Sequence, residues 1–356
     1  MEIIKLLFLL QNAYFILPLH GSKYLKQNLF QMKKILIIRC SSIGDIVLTS
    51  PVVRCMKEQM KDVELHFLVK KPLSQTVDNN PHLSKVYSFK KSVQTIMPDL
   101  RQEHYDCIID LHNSIRSTSV ILNLVRPFYT FKKINFRKWL DVNLKIDILP
   151  HRHVVDRYFD VVKDLGVVND NKGLEYFILE SDTVNVSDLP STHQNGYIGF
   201  VIGGKHATKR MPDSLIVSIC NKIDKPIILL GAKEDFEVGE IAKNAVGDKV
   251  INSCGKYSLN QSASIVKNAE KIITNDTGLM HIAAAFDKPI VSVWGNTIPA
   301  FGMTPYYAKD STTKSLIAEV NDLSCRPCSK LGFEKCPKGH FKCMMDLDMQ
   351  KIADLI

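Results

Sequence analysis

Short apolar runs alternate with helical patterns along most of this chain, and that alternation constrains the fold more than any other feature. Strands that alternate with helices indicate βαβ units and a parallel sheet. The predicted strands of the first half are residues 34–39, 63–69, 86–89 and 107–111, and its predicted helices are residues 45–60, 114–125 and 154–165. The predicted strands of the second half are residues 197–202, 226–230, 249–251, 272–274 and 290–294. With 356 residues, the chain is therefore expected to form two Rossmann-like α/β domains.

A polar stretch of low periodicity over residues 180–195 separates the two halves and is the predicted linker. We therefore predict an N-terminal domain over residues 32–185 and a C-terminal domain over residues 196–345. A terminal helix over residues 346–356 follows.

The N-terminal extension, residues 1–31, allows three interpretations. Its apolar part, residues 3–19, is interrupted by Lys5, Gln11 and Asn12 and is short for a membrane span, which needs about 20 apolar residues. It also lacks a small-residue cleavage site. The favoured interpretation is that Met32 is the true start. A membrane-associated helix comes second and a cleaved signal third.

Composition narrows the class of partner. Lys and Arg total 46 against 37 Asp and Glu, a formal charge of +9, which suits anionic partners such as nucleotides, acidic glycolipids or a membrane surface. No nucleic-acid-binding motif is present. No Gly-x-Gly-x-x-Gly opens either half, and residues 203–205 lack Walker spacing, which argues against a dinucleotide oxidoreductase and a P-loop.

Two polar, glycine-containing turns follow apolar runs and open helices. One is residues 40–45, with Gly44 and Asp45, and the other is residues 274–281, with Thr277 and Gly278. Free N–H groups and the dipole at a helix N-terminus suit a phosphate. Open α/β sheets bind ligands at this end of their strands. The alternative is that Asp45, Asp276 or Thr277 only caps its helix.

Together these turns resemble glycosyltransferase family 9, the lipopolysaccharide heptosyltransferases. The matching stretches are residues 37–39, 41–45, 49, 51, 274–285, 288–289 and 294–297, with a cysteine-rich tail over 325–344. The resemblance covers nearly all of the chain from Met32 onward. It implies the GT-B fold, in which two Rossmann-like domains face a central cleft. Chains with this fold often end in a helix that crosses back onto the first half, and the helix over residues 346–356 is a candidate for this crossing. It also implies inverting transfer of a heptose from ADP-heptose to the lipopolysaccharide inner core, without metal or cofactor, at the cytoplasmic face of the inner membrane.

Other functions stay open on the sequence. The enzyme could use another nucleotide sugar, or it could be a GT-B-fold sugar-nucleotide epimerase. A catalytically silent sugar-nucleotide-binding protein is a third alternative.

The resemblance also assigns site residues. Asp45 matches the catalytic base, which removes the proton of the acceptor hydroxyl. The predicted donor-binding residues are Lys209, Arg210, Glu234, Asp235, Asp276, Thr277, Gly278 and His281. Lys209 matches the pyrophosphate-binding lysine, and Glu234 and Asp235 are both candidates for the ribose-binding acid. The predicted acceptor-side residues are Ser42, Gly44, His112, Asn113 and Arg116. A capped helix at Asn113 or Ser114 explains that last turn nearly as well.

Two further clusters are candidates for binding. Residues 126–139 interleave Arg and Lys with Phe, Tyr and Trp, which is typical of contact with an anionic membrane. Stacking on single-stranded nucleic acid is the alternative. The predicted acceptor is an anionic glycolipid of the lipid A–Kdo type. Cys325, Cys328, Cys336 and Cys343 either bind structural zinc or are buried thiols, and no metal is assigned to the site itself.

Overall fold

The computed structural model describes residues 32–356 and contains two parallel sheets. The strands of the first half are β1 (Lys34–Ile38), β2 (Glu64–Lys70), β3 (Lys85–Phe89), β4 (Cys107–Asp110) and β5 (Phe128–Thr130). Its helices are α1 (Ile43–Val47), α2 (Ser50–Gln59), α3 (Met97–Gln102), α4 (Ile115–Leu124), α5 (Asn135–Leu144) and α6 (Val154–Val162).

The second half repeats this alternation. Its strands are β6 (Ile198–Val201), β7 (Ile227–Leu230), β8 (Val250–Asn252), β9 (Lys271–Asn275), β10 (Ile290–Trp294) and β11 (Ser315–Glu319). Its helices are α7 (Ser191–Gln194), α8 (Asp213–Lys222), α9 (Phe236–Val246), α10 (Leu259–Asn268), α11 (Gly278–Ala285), α12 (Lys342–Met345) and α13 (Met349–Asp354).

The strand order places most of the predicted site turns where the order of each sheet reverses. The first sheet runs β3-β2-β1-β4-β5 and the second β11-β10-β9-β6-β7-β8, with every pair parallel. The order reverses between β1 and β4 in one sheet and between β6 and β9 in the other. Crevices at such switch points, beyond the carboxyl ends of the strands, are where these sheets bind ligands. The predicted site residues lie on five turns, and all of these except the turn after β7 follow a strand at a switch point.

The central strands are apolar because both of their faces are covered. In β1, Ile35 and Ile37 belong to the largest core, whereas Leu36 and Ile38 belong to a separate core on the other face. The largest core continues through the second half as far as Trp294, so the two halves share apolar packing. The predicted α/β fold of GT-B type, with two Rossmann-like sheets, is confirmed. The two short strands β5 and β11 were not among the predicted elements.

Two details differ from the sequence-based expectation. The helical pattern over residues 45–60 is two helices, because Pro51 near the start of α2 has no N–H to donate to the preceding turn. The terminal helix α13 does not cross onto the first half. Met349 and Ile352 pack in the apolar core of the second half, beside α8.

The predicted domain boundaries at residues 185 and 196 and the three interpretations of the N-terminus stay predictions. Residues 1–31 lie outside the described residues.

Candidate active site at the junction of the two halves

The two glycine-containing turns, 230 residues apart in sequence, meet in the folded chain. A Cβ atom built on Gly44 would lie 2.5 Å from Cδ2 of His281, and one built on Gly278 would lie 2.6 Å from Cγ2 of Ile43. No side chain fits at either glycine without displacing its neighbour, so these residues allow α1 and α11 to approach closely. Catalytic and donor-side candidates from different halves are thereby brought to one place.

Asp45 is held from both sides. Its Oδ1 lies 2.6 Å from Nη2 of Arg39, and its Oδ2 accepts hydrogen bonds from the hydroxyl (2.6 Å) and the backbone N–H (3.2 Å) of Ser42. Burial raises the pKa of Asp45, but the charge of Arg39 and the bonds from Ser42 outweigh it, so the pKa is lowered overall. The carboxylate is therefore ionised at neutral pH, as a general base must be.

The same carboxylate also serves the helix. Ser42 is the N-cap of α1, and Asp45 is its third residue, whose side chain accepts the N–H of Ser42. This reciprocal arrangement is a capping box. Capping geometry is therefore present alongside the geometry expected of a base, and the catalytic assignment of Asp45 stays a prediction.

On the donor side, Lys209 forms an ion pair with Asp276, and the same carboxylate oxygen accepts a hydrogen bond of 3.1 Å from the hydroxyl of Thr297. Thr277 is the N-cap residue of α11, but its side chain makes no capping hydrogen bond to the helix. The first N–H groups of α11 thus remain available to an anionic ligand beside the ammonium of Lys209.

His281 lies on α11 at this junction and is 2% exposed. Burial lowers its pKa to about 4, so the ring is neutral at physiological pH. Its Nδ1 atom is buried and has no hydrogen-bond partner among residues 32–356. A ligand that enters the junction can therefore satisfy this nitrogen.

The structure separates the two acidic candidates after β7. Asp235 is 5% exposed, accepts the N–H of Ala232 at 2.8 Å and lies 3.2 Å from Nη1 of Arg210. Glu234 is exposed and makes no ion pair with another described residue. The two neighbouring basic residues thus form ion pairs with different carboxylates. Arg210 pairs with Asp235, and Lys209 pairs with Asp276.

The turn after β4 lies beside the turn after β1. Asp110 accepts the backbone N–H groups of His112 (2.9 Å) and Asn113 (2.8 Å), and Ser114 caps α4. Burial, together with the charges of Arg39 and Lys133, lowers the pKa of His112 to about 3. His112 is therefore neutral.

Arg116 is exposed, and its charge is close enough to influence His112. Of the predicted acceptor-side residues, Ser42 therefore contacts the Asp45 carboxylate directly, and His112 is near enough for the charge of Asp45 to act on it. Ser114 caps α4, as the capping interpretation predicts. This cap is compatible with an acceptor-side role of the same turn, so it does not decide between capping and acceptor binding.

The cysteine-rich tail supports the loops of the donor side. The backbone N–H of Thr208 donates to the carbonyl of Phe333, and the N–H of Phe333 donates to the hydroxyl of Thr208. Arg326 donates to the carbonyl groups of Gly295 and Thr297. The tail thereby fixes the positions of Lys209 and Thr297, which follow Thr208 and Gly295 in the chain.

The four tail cysteines are free thiols. The pKa of Cys343 is raised to about 11 by burial and by the other three thiols nearby, and burial also raises the pKa of Cys328. Among residues 32–356, the side chains whose ligand atoms all lie within 4.8 Å of one another are Glu64, His66 and Glu103. Glu103 there is bound by two lysines and a tyrosine, as in a structural ion-pair network. Structural zinc and buried thiols therefore stay the two alternatives for these cysteines.

Several residues at the junction carried no assigned role in the sequence-based prediction. Arg39 pairs with Asp45, Thr297 pairs with Asp276, and both amide atoms of Asn296, which is 1% exposed, lack a partner among residues 32–356. A charged residue directly after the apolar run of β1 was a usable signal for Arg39. Residues 296 and 297 fall in a stretch that matches the family, but no role could be assigned to Thr297 from it, because its partner Asp276 is distant in sequence.

Comparison with known proteins agrees with this geometry. The family model described as glycosyltransferase family 9 (heptosyltransferase) matches residues 93–331. Lipopolysaccharide heptosyltransferase 1 of Campylobacter coli is 27% identical over 296 residues, which are 74% of this chain and 84% of that protein. The crystal structure of a family 9 glycosyl transferase from Veillonella parvula has a TM-score of 0.71 at 21% identity, covering 91% of this chain and 96% of that one. The Escherichia coli ADP-heptose lps heptosyltransferase II has a TM-score of 0.68 at 19% identity, covering 90% and 97%.

Proposed function

The chain belongs to glycosyltransferase family 9, the heptosyltransferase family, and from this premise we propose that it transfers a heptose from ADP-heptose to the lipopolysaccharide inner core. The C. coli relative is a lipopolysaccharide heptosyltransferase, and the E. coli structure is an ADP-heptose enzyme, which supports this donor and this class of acceptor. The observation that carries the proposal is the contact of α1 with α11. It places the carboxylate of one half beside the basic, open helix terminus of the other.

The reaction we propose is a single displacement. The acceptor hydroxyl oxygen attacks the anomeric carbon of the heptose, and its proton passes to the Asp45 carboxylate. The bond between the anomeric carbon and the β-phosphate oxygen breaks, and ADP leaves with the electron pair. Attack from the face opposite the leaving group inverts the anomeric configuration. Arg39 and Ser42 hold the carboxylate in position and keep it ionised.

Donor recognition is proposed for the second half. Lys209 and the free N–H groups at the start of α11 bind the diphosphate and stabilise the charge that develops on it. Glu234, rather than Asp235, accepts the ribose hydroxyls, because Asp235 is already bound by Arg210 and Ala232. Glu234 is exposed at the carboxyl end of β7, next to the switch-point strand β6.

The acceptor and the membrane are proposed to approach from the first half. Half-exposed aromatic side chains on α5, Phe136 and Trp139, stack with ring centroids 6.4 Å apart, and basic residues flank them. Exposed apolar side chains and positive charge together suit an anionic bilayer surface. We propose peripheral contact with the cytoplasmic face of the inner membrane. Among residues 32–356, none of the helices has the length and apolar character needed to cross a bilayer.

The decisive experiment combines donor binding with transfer. Full-length protein is screened for thermal stabilisation against ADP-heptose, other ADP-sugars and UDP-sugars, since a bound donor raises stability by mass action. The stabilising donor is then offered with a lipid A–Kdo type acceptor, and the product is analysed by mass spectrometry. Preferential stabilisation by ADP-heptose and addition of one heptose support the proposal. Stabilisation by a UDP-sugar alone, or epimerisation without an acceptor, would overturn it.

Membrane contact is tested separately by flotation with anionic liposomes. Phe136→Ser with Trp139→Ser should lower binding of both the full chain and a chain that begins at Met32. The matched control is Leu316→Ser with Ile317→Ser, a pair of exposed apolar residues on β11 of the second half. Equal loss of binding in the two double variants would show that α5 is not the contact.

A further inference from the structure

One lysine of the first half lies against the second half. Lys138 is on α5, and its ammonium is 4.6 Å from the ring centroid of Phe301, which follows β10. Phe301 is 3% exposed, so this ring is a fixed platform for the cation. Lys138 forms no ion pair with a carboxylate among the residues that the structure describes. Its positive charge is therefore not neutralised by direct contact.

The donor site is on the same loop as this platform. Thr297, four residues before Phe301, donates its hydroxyl to Asp276, which also pairs with Lys209. The charges that act on Lys138 come from both halves: Arg157 and Asp45 from the first, and Asp276 and Lys209 from the second. Lys138 is therefore near enough to the proposed base and to the proposed diphosphate site for charges of both to act on its ammonium.

The other end of α5 is also fixed to the second half. Lys145, which follows the last turn of α5, donates its ammonium to the carbonyl of Pro327 at 2.6 Å. Pro327 belongs to the tail that supports the Lys209 loop. Contacts at Phe301 and at Pro327 therefore hold α5 across the junction, although its neighbours in sequence belong to the first half.

The charge of Lys209 alone is too small to neutralise a departing diphosphate. Its ammonium is paired with Asp276, which offsets much of its charge. When the glycosidic bond to the β-phosphate breaks, additional negative charge develops on the leaving group. A cation placed where that charge develops, with no carboxylate of its own, stabilises the transition state more than the ground state.

We propose that Lys138 binds the departing diphosphate from the first-half side, opposite Lys209, and so completes the leaving-group site when the two halves are together. The inference rests on the proposed nucleoside-diphosphate donor. Lys138 and the donor-binding loops belong to different halves, so this leaving-group site exists only where the two halves meet.

The pH dependence offers a readout that a purely structural role would not affect. Burial and the charges of Arg157 and Lys209 lower the pKa of Lys138, while Asp45 and Asp276 oppose the shift, and the net pKa is about 8. Loss of its proton should therefore reduce kcat/KM for the donor above about pH 8, since kcat/KM reports the free enzyme. An arginine in this position stays charged over the whole range.

The test compares Lys138→Gln, Lys138→Arg and a control, Lys163→Gln, in the full chain with a water-soluble acceptor sugar. Lys163 is an exposed lysine of the same half, so the control makes the same chemical change. Lys138→Gln should lower kcat/KM for the donor and the calorimetric affinity for ADP by about 10- to 100-fold, the scale of a lost charge-assisted contact. Lys138→Arg should keep most activity and lose the alkaline decline near pH 8. Lys163→Gln should match the wild type.

Two results would overturn the inference. One is wild-type ADP affinity and kcat in Lys138→Gln. The other is a loss confined to the KM of the acceptor, which would place Lys138 on the acceptor instead. Failure of the proposed function looks different: the wild type would transfer no heptose, whereas weaker ADP binding in Lys138→Gln would still support the diphosphate contact.

Discussion

Asp45→Asn separates catalysis from helix capping, because asparagine keeps most of the shape and loses the base. The substitution retains an oxygen that accepts from Ser42, but it removes the charge that faces Arg39. As loss of a general base costs about 10² to 10⁴ in rate, turnover should fall at least 100-fold. ADP affinity should stay close to the wild-type value, because Lys209 and the start of α11 are unchanged.

The cost in stability follows from the same contacts. Removing one partner of a fully buried ion pair costs about 3–5 kcal/mol, but exposed pairs are worth about 1 kcal/mol or less. The side chain of Asp45 is 24% exposed and that of Arg39 8%, so we expect a loss of about 1–3 kcal/mol. The lowered pKa of Asp45 means that this advantage of the wild type is complete above the ordinary carboxyl pKa. It is lost as the pH falls through the lower pKa of the folded state.

Ser42→Ala is the matched control for the capping role. It removes the 2.6 Å hydroxyl contact to Asp45 and the N-cap oxygen, which should cost about 0.5–2 kcal/mol, but it leaves the carboxylate and Arg39 in place. Initial rates with saturating donor, ADP calorimetry and thermal unfolding are measured on all three proteins. The reasoning fails if Asp45→Asn keeps near-normal turnover, or if both variants lose turnover equally. In either case Asp45 is a capping residue.

Two further substitutions test other parts of the junction. Lys209→Ala should weaken ADP binding about 10- to 100-fold in calorimetry without added magnesium, since a charge-assisted contact is lost; binding that strictly requires magnesium would contradict this scheme. Gly44→Ala should lower turnover by about 100-fold, because its Cβ would lie 2.5 Å from Cδ2 of His281 and must push α1 from α11 by about 1 Å. ADP affinity should change little in Gly44→Ala, and an unchanged turnover would show that this close approach is not needed.

Much of the fold and of the candidate site could be predicted from local sequence patterns. Short apolar runs, such as the four residues Ile35–Ile38 in β1, predict strands buried on both faces. The glycine-containing turns after β1 and β9 predict ligand sites. These signals are local, because hydrophobic period and turn residues depend on a few neighbouring positions. The family resemblance then joined the two turns into one site.

The edge strands and the packing of the C-terminal helix were harder to predict from the sequence. β5 has three residues and β11 is partly exposed, so neither has the continuous apolar run of a central strand. The predicted packing of α13 on the first half was wrong. An apolar stripe shows which face of a helix is buried, but it does not show which element covers that face. Met349 and Ile352 fit either half by pattern, and only the folded core selects the second.

The sequence by itself determined the two parallel sheets, the turns at their carboxyl ends and the candidate base Asp45. Only the tertiary structure decided that Arg39 pairs with Asp45, that Asp235 is buried and bound by Arg210 while Glu234 is exposed, and that Lys138 reaches Phe301. The physical reason is distance along the chain. Periodicity and turn chemistry act over a few residues, whereas each of these contacts depends on how separately formed elements pack against one another.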